Sequence, residues 1–197
     1  MQLVAATNNQ GKLKEMQRIL KPLNITVLSL KDVNIDIDID ENGKNFAENA
    51  RIKAEAIFRL TGKPTIADDS GLCVDALGGE PGVYTARYSG ENATDDSNIS
   101  KLLNKLEGVP KGKRTARFVC ALCFIIDEST ILECEGVCDG EIGWQKLGEN
   151  GFGYDPVFMM GNKSFSQLSA DEKDAVSHRG KALKEMFGLI CKYKMKF

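Results

Sequence analysis

The chain carries a single histidine, His178, and no excess of positive charge, its formal total being -2. A lone histidine without cysteine or histidine neighbours is a poor zinc ligand set. A slightly acidic chain is not a nucleic-acid protein whose affinity rests on overall positive charge, although it leaves room for a local anion site. No stretch approaches the ~20 apolar residues of a membrane span. The opening Met1-Gln2-Leu3-Val4-Ala5-Ala6 runs into a polar turn too soon for a signal peptide. The expectation is a cytoplasmic protein with neither a membrane nor a nucleic acid as partner. Repeats, low-complexity tracts and proline-rich linkers are also missing.

What is present suits an ordinary globule, with 42% apolar and 27% charged residues in 197 positions. That length buries a substantial core as one large domain or one domain split into two lobes. Six cysteines are scattered as Cys73, Cys120, Cys123, Cys134, Cys138 and Cys191. Cys120-x-x-Cys123 lies in an apolar run, where strand alternation turns its members to different faces. Reduced thiols fit that setting better than a zinc knuckle.

Leu3 to Ala6 reads as a short buried strand, Lys12 to Leu20 as a helix closed by Pro22, and Ile25 to Leu28 as a second strand. Phe46 to Leu60 is the strongest helix, with Phe46, Ala50, Ala54, Ile57 and Phe58 on one stripe. Thr65-Ile66-Ala67 makes a strand leading into Asp68-Asp69-Ser70-Gly71. A helix follows at Asp96 to Leu106. Thr115 to Ile126 and Ile131 to Val137 form a hairpin around Asp127-Glu128-Ser129-Thr130. A last helix covers Arg179 to Leu189. This rhythm predicts an α/β core with a parallel component, in which two lobes share a long mixed sheet.

Several clusters carry chemistry that a core segment does not need. Thr7-Asn8-Asn9-Gln10-Gly11-Lys12 joins a strand to a helix, where free N–H groups favour an anion. Thr7 and Asn9 add donors and Lys12 a positive charge, although a polar turn capped by Asn reads equally well. The spacing is not that of a Walker A loop. Asp32 to Glu41 alternates acidic and aliphatic residues, as an edge strand with one wet face would, and ends on Glu41. Asp68 and Asp69 are costly as neighbours unless hydrated, paired or bound to a cation. At a strand end they can hold magnesium and activate a water, or simply cap a turn. Lys53 either reaches phosphate or is a solvated helical lysine.

Gly151-Phe152-Gly153-Tyr154-Asp155-Pro156 holds a phenylalanine between glycines. Such a ring stacks on a base or fills a core. Asp155 can accept from a ring N–H, while Lys173, His178 and Arg179 can donate to a base edge. Pro81-Gly82-Val83-Tyr84 with Arg87 and Tyr88 forms a second aromatic and basic loop, lining either a groove or a subunit interface.

At these residues, from Thr7 to Arg179, the chain resembles the inosine triphosphate pyrophosphatase (Ham1-like) family, also called the dITP/XTP pyrophosphatases. The resemblance rests on Thr7 to Lys12, Phe46-Ala47-Glu48-Asn49-Ala50 with Lys53-Ala54, and Asp68-Asp69-Ser70-Gly71-Leu72. Pro81 to Tyr88, Gly151 to Pro156 and Ser177-His178-Arg179-Gly180 complete the series. It implies hydrolysis of ITP, dITP and XTP to the monophosphate and pyrophosphate with magnesium, which clears damaged purines from the nucleotide pool. It implies one elongated, two-lobed α/β domain over residues 1–197, with a groove between the lobes, and a homodimer.

By the same resemblance Thr7, Asn9, Lys12 and Lys53 contact phosphate and Ser70 binds substrate, with Lys12 also assisting catalysis. Glu41, Asp68 and Asp69 form the metal and water-activating group, with Asp69 as base. Phe152 stacks on the purine, while Gly153, Tyr154, Asp155, Lys173, Ser177, His178 and Arg179 surround it. Two departures stand out: Lys146-Leu147-Gly148 replaces a Pro-Arg-Gly type turn, and Phe165-Ser166-Gln167 replaces Phe-Ala-Glu. The rival readings are a pyrophosphatase for modified pyrimidine or ordinary deoxynucleotides, a nucleotide sensor without turnover, and a single-stranded nucleic-acid binder.

Overall fold

The structure is a computed structural model that describes residues 1–194. Seven strands form one sheet: β1 (Gln2–Ala5), β2 (Thr26–Leu28), β3 (Thr65–Val74), β4 (Thr115–Asp127), β5 (Thr130–Ile142), β6 (Phe158–Met160) and β7 (Lys163–Ser164). Their order is β2-β1-β3-β4-β5-β6-β7. β1 pairs in parallel with β2 and β3, whereas β6 runs antiparallel to β5 and to β7. Among the described residues five α-helices accompany them: α1 (Gln10–Leu20), α2 (Phe46–Thr61), α3 (Asp95–Lys105), α4 (Ala170–Val176) and α5 (His178–Lys194). The expected mixed α/β fold is what forms.

The chain divides into two compact units. One comprises residues 1–69, 120–136 and the chain from Arg179, and the other residues 70–119 and 137–178. The first unit is three-layered, and strand alternation shows why. Leu3, Ala5, Ile66, Cys120, Leu122 and Phe124 bury one sheet face against Leu13, Met16 and Leu20 of α1 and Ala182, Leu183, Met186 and Ile190 of α5. Their neighbours Val4, Ala6, Ala67, Ala121, Cys123 and Ile125 bury the opposite face against Ala50, Ala54 and Ile57 of α2. Cys120 and Cys123 thus lie on opposite faces and are free thiols. The second unit has its own core, where Leu72, Ile99, Leu102, Phe118, Ile142, Tyr154, Phe158 and Phe165 meet.

Two expectations are corrected, and one helix is new. The alternating Asp32 to Glu41 run is not an edge strand: after a 3-10 turn at Lys31–Val33 it is extended without a ladder. Its Ile35, Ile37 and Ile39 still turn inward onto the α2-side core, so the alternation reports burial and not pairing. The strand expected to stop at Ala67 runs on through the acidic pair to Val74. α4 follows Ser169, whose side chain accepts from the Glu172 N–H while Glu172 answers to the Ser169 N–H. That Ser-x-x-Glu capping signature was available to a sequence reader.

Candidate active site

β1 ends at Ala5, paired with Ile66 of β3, and the chain then turns through Thr7 into α1. The Thr7 to Lys12 turn and Asp68-Asp69 therefore stand together past the carboxyl end of β1, where open α/β sheets place ligands. Thr7 Oγ1 accepts from the Asn9 N–H at 3.1 Å, and Asn9 caps α1 by accepting from the Lys12 N–H at 3.1 Å. The capping reading of Asn9 is therefore realised. The Thr7 hydroxyl still has its hydrogen to donate, and the helix start still favours an anion.

Because side chains alternate along a strand, Asp68 and Asp69 enter opposite layers. Asp68 follows the face of Ile66 toward α1 and α5. It is fully buried, pairs with the ammonium of Lys12, accepts from Arg179 Nε at 3.0 Å, and accepts from the Cys120 thiol at 2.8 Å. Burial works against its charge, yet the guanidinium and ammonium hold its carboxyl well below the usual range. Arg179 also pairs with Glu15 of α1, and Arg179 is 1% exposed. The Cys120 thiol, buried beside a carboxylate, is pushed well above its ordinary pKa and stays protonated as a donor.

Asp69 follows Ala67 toward α2. Its Oδ2 accepts from Asn49 Nδ2 at 3.1 Å, and its Oδ1 lies 3.2 Å from Lys53 Nζ. The same ammonium is 2.9 Å from Glu41 Oε2, so Lys53 bridges the two carboxylates. Burial raises the Asp69 pKa; Lys53 and Lys12 oppose it, Glu41 adds to it, and the carboxyl ends above its ordinary value. Burial would lower the Lys53 pKa, but Asp69 and Glu41 overcome it and raise it, keeping the group charged.

The donor set can be tested for a cation. Among the described residues no group of three or more His, Cys, Asp or Glu is arranged around one point. Magnesium binds through one or two carboxylates completed by water and substrate phosphates. Glu41 and Asp69 supply two, with a protein cation already lodged between them, and they fit. Asp68 has its oxygens engaged by Lys12, Arg179 and Cys120, which gives it the surroundings of an internal anion.

In the second unit, the Phe152 loop is built on Asp155. Its Oδ2 accepts from the Phe152 N–H at 2.9 Å and from Lys173 Nζ at 2.5 Å. Gly151 has φ +82°, and a Cβ there would meet Asp155 Oδ2 at 2.1 Å, so only glycine fits. Phe152 is half-buried, with the Lys173 ammonium 4.7 Å from its ring centre. The Gly153 N–H donates to Asp95 at 2.7 Å. Tyr154 is 2% exposed and donates its hydroxyl to the Thr85 carbonyl, placing it in the core. Ser177 is buried and closes α4, its N–H donating to the Lys173 carbonyl. His178 stacks on Phe118, centroids 4.7 Å apart and planes at 12°. Ser70, at the start of this unit, is half-buried.

The sequence placed His178 and Arg179 on one base edge. The structure sends the imidazole to Phe118 and the guanidinium to Asp68 and Glu15, because a buried guanidinium needs carboxylate partners. Glu15, Cys120 and Asn49 were not singled out as site residues. The available signal for Asn49 is its place on α2, one turn before Lys53, beside the apolar Ala50, Ala54 and Ile57. Of the two departures, Gln167 Oε1 accepts from the Ser164 N–H at 3.0 Å, closing a local cap that needs no negative charge. Lys146 pairs with Asp96, and Gly148 (φ +80°) lies where a Cβ would meet the Ser166 carbonyl oxygen at 2.4 Å.

The sequence pattern of the Ham1 family matches residues 3–189. The chain is 48% identical to the dITP/XTP pyrophosphatase of Bacillus licheniformis, over 96% of this chain and 97% of that protein. Its identity to the dITP/XTP pyrophosphatase of Bacillus subtilis is 46%, over 95% and 96%. Among solved structures, the Ham1 protein of Staphylococcus aureus superposes with a TM-score of 0.85 at 41% identity, covering 98% of this chain and 100% of that one. The Ham1 protein of Coxiella burnetii gives 0.86 at 40%, covering 98% and 99%. With the family's pattern matched over residues 3–189, and relatives and solved structures matched along nearly the whole length, the chain belongs to the Ham1 family.

Proposed function

We propose that this protein hydrolyses ITP, dITP and XTP between the α and β phosphates, giving the monophosphate and pyrophosphate, with magnesium as cofactor. The observation that carries the reading is Asp69, a buried carboxylate of raised basicity held by Asn49 and sharing the Lys53 ammonium with Glu41. Relatives at 46–48% identity bear the name dITP/XTP pyrophosphatase, which supports the same substrates here.

In this reading Asp69 takes the proton of the attacking water, as a positioned carboxylate of raised pKa does well near neutral pH. Glu41 and Asp69 would hold the magnesium, which when bound would neutralise phosphate charge and acidify water. Lys12, Lys53, Thr7 and Asn9 provide charge and donors for the phosphate chain, with Ser70 next to the acidic pair. Asp68 fixes Lys12 and Arg179 and so acts through its partners. Phe152 stacks on the purine, and Lys173 supplies the donor suited to the C6 carbonyl that hypoxanthine and xanthine carry. Adenine offers an amine there, which would leave that donor facing hydrogens. Gly153, Asp155, Ser177 and His178 shape this loop. One domain built from both units, a homodimer and a cytoplasmic setting belong to the same proposal.

The test is a substrate panel of ITP, XTP, dITP, ATP and GTP with magnesium, in which pyrophosphate and orthophosphate are detected separately. Pyrophosphate and IMP from ITP are expected. IDP and orthophosphate as primary products would sink the assignment.

A further inference from the structure

Among the described residues, Asn49 is the neutral side chain that hydrogen-bonds to Asp69. It is 1% exposed on a helix of mixed polarity. Its Oδ1 accepts from the Gly43 N–H at 2.8 Å, and its Nδ2 donates to Asp69 Oδ2 at 3.1 Å. The two partners force one amide orientation, because an N–H can only donate and a carboxylate can only accept. Gly43 lies two residues past Glu41, and the approach is tight: a Cβ on Gly43 would meet Asn49 Oδ1 at 2.6 Å and Glu48 Cβ at 2.8 Å. The next residue is pinned as well, the Lys44 N–H donating to Glu48 Oε2 at 2.8 Å.

Asn49 and Lys53 are four residues apart, so they share a face of α2. Both join the segment carrying Glu41 to Asp69. Lys53 does so through a charge that phosphate also attracts. Asn49 does so through a backbone amide and a neutral donor, with no charge of its own. Its donation to Oδ2 also leaves Oδ1 as the Asp69 oxygen facing Lys53.

We infer that Asn49 is a positioning residue for the proposed reaction, an amide clamp that fixes the orientation of the Asp69 carboxylate and sets the Glu41 segment in register with it. The inference rests on Asp69 and Glu41 having the roles proposed above. Ordinary helix polarity does not account for Asn49: a buried asparagine spends both ends of its amide on these two partners, and Gly43 is hollowed to admit it.

Two variants separate the halves of the clamp. Asn49→Asp keeps the acceptor for Gly43 but removes the donor to Asp69, while Asn49→Ala removes both. Each is expected to lower kcat for ITP by about 10–100-fold and to raise the magnesium concentration giving half-maximal rate, the scale typical when a group orienting a metal ligand is lost. KM for ITP should stay within about threefold, since the phosphate donors are untouched.

A second readout needs neither metal nor substrate. Amide hydrogen exchange at Gly43 should quicken about fivefold or more in Asn49→Ala and stay at the parental rate in Asn49→Asp. Should Asn49→Ala fail to fold, Asn49→Asp carries both the kinetic and the exchange arms. The inference is overturned if Asn49→Asp turns over within about threefold of the parent, if it exchanges Gly43 faster than the parent, or if a folded Asn49→Ala leaves that exchange unchanged. A parent protein that releases no pyrophosphate would remove the proposed function, while the Gly43 exchange would still decide whether the clamp exists.

Discussion

Asp68 and Asp69 are neighbours in sequence with opposite surroundings. Asp68 looks toward α1 and α5 into a cluster of Lys12, Arg179, Glu15 and Cys120 in which only Lys12 is partly exposed, and its carboxyl is held well below the usual range. Asp69 looks toward α2, keeps partial access to solvent, touches Asn49 and Lys53, and is raised. One side has the features of a fixed internal ion, the other those of a group that exchanges a proton. Two identical side chains gain different chemistry from a single step along a strand, since that step reverses the face and with it the hydrogen-bonding partners.

The sharpest way to break this contrast is Asp69→Asn. It is expected to lower kcat by ~10²–10⁴ with little change in KM or melting temperature. A variant that keeps its rate would move the base elsewhere.

Arg179→Ala tests the other side. Removing one partner of a buried ion pair leaves an uncompensated charge, at about 3–5 kcal/mol of stability. Chemical denaturation should show that loss, while the kcat/KM ratio of ITP to ATP stays constant. A shrinking ratio with stability retained would return Arg179 to the base edge. The sign of the pH effect follows from Asp68. Its folded pKa lies below the unfolded value, so its stabilisation is present above the unfolded value of ~3.9 and fades as pH falls through the folded one. The parent's melting temperature should therefore drop in acid, and Asp68→Asn should flatten that drop.

Phe152→Ala gives an outside reference from the second unit. Loss of stacking should weaken every purine triphosphate by ~1–3 kcal/mol without altering the magnesium requirement. Unequal losses among purines would mean that the ring reads more than a π-face. The smallest expected effect is at Cys120: Cys120→Ala should lower stability by about 1 kcal/mol through the lost donor to Asp68, and Cys120→Ser should recover part of it. Equal melting temperatures for parent and both variants would show that the thiol contributes nothing to the cluster.

Much of the fold was legible because the signals are local. The helix read at Phe46 to Leu60 from its apolar stripe forms at Phe46–Thr61, with Asn45 as its cap and Gly62 as its stop. The reading failed where a local signal had two physical sources. The Asp32 to Glu41 alternation comes from aliphatics turning inward and not from a ladder. Asp-Asp-Ser-Gly carries turn residues, yet it continues β3 because the charges on each side find partners there.

Composition and motif order by themselves determined the α/β class, the family resemblance and the set of polar residues available for chemistry. They could not determine how those residues are shared out. His178 and Arg179 are adjacent but turn to different surroundings, one to an aromatic ring and the other to two carboxylates. Glu15 and Asp68 are 53 residues apart yet meet on one guanidinium. The reason is physical: a buried charge is tolerable only beside an opposite one, and which opposite charge comes within reach depends on strand pleat and helix packing, which exist only once the chain has folded.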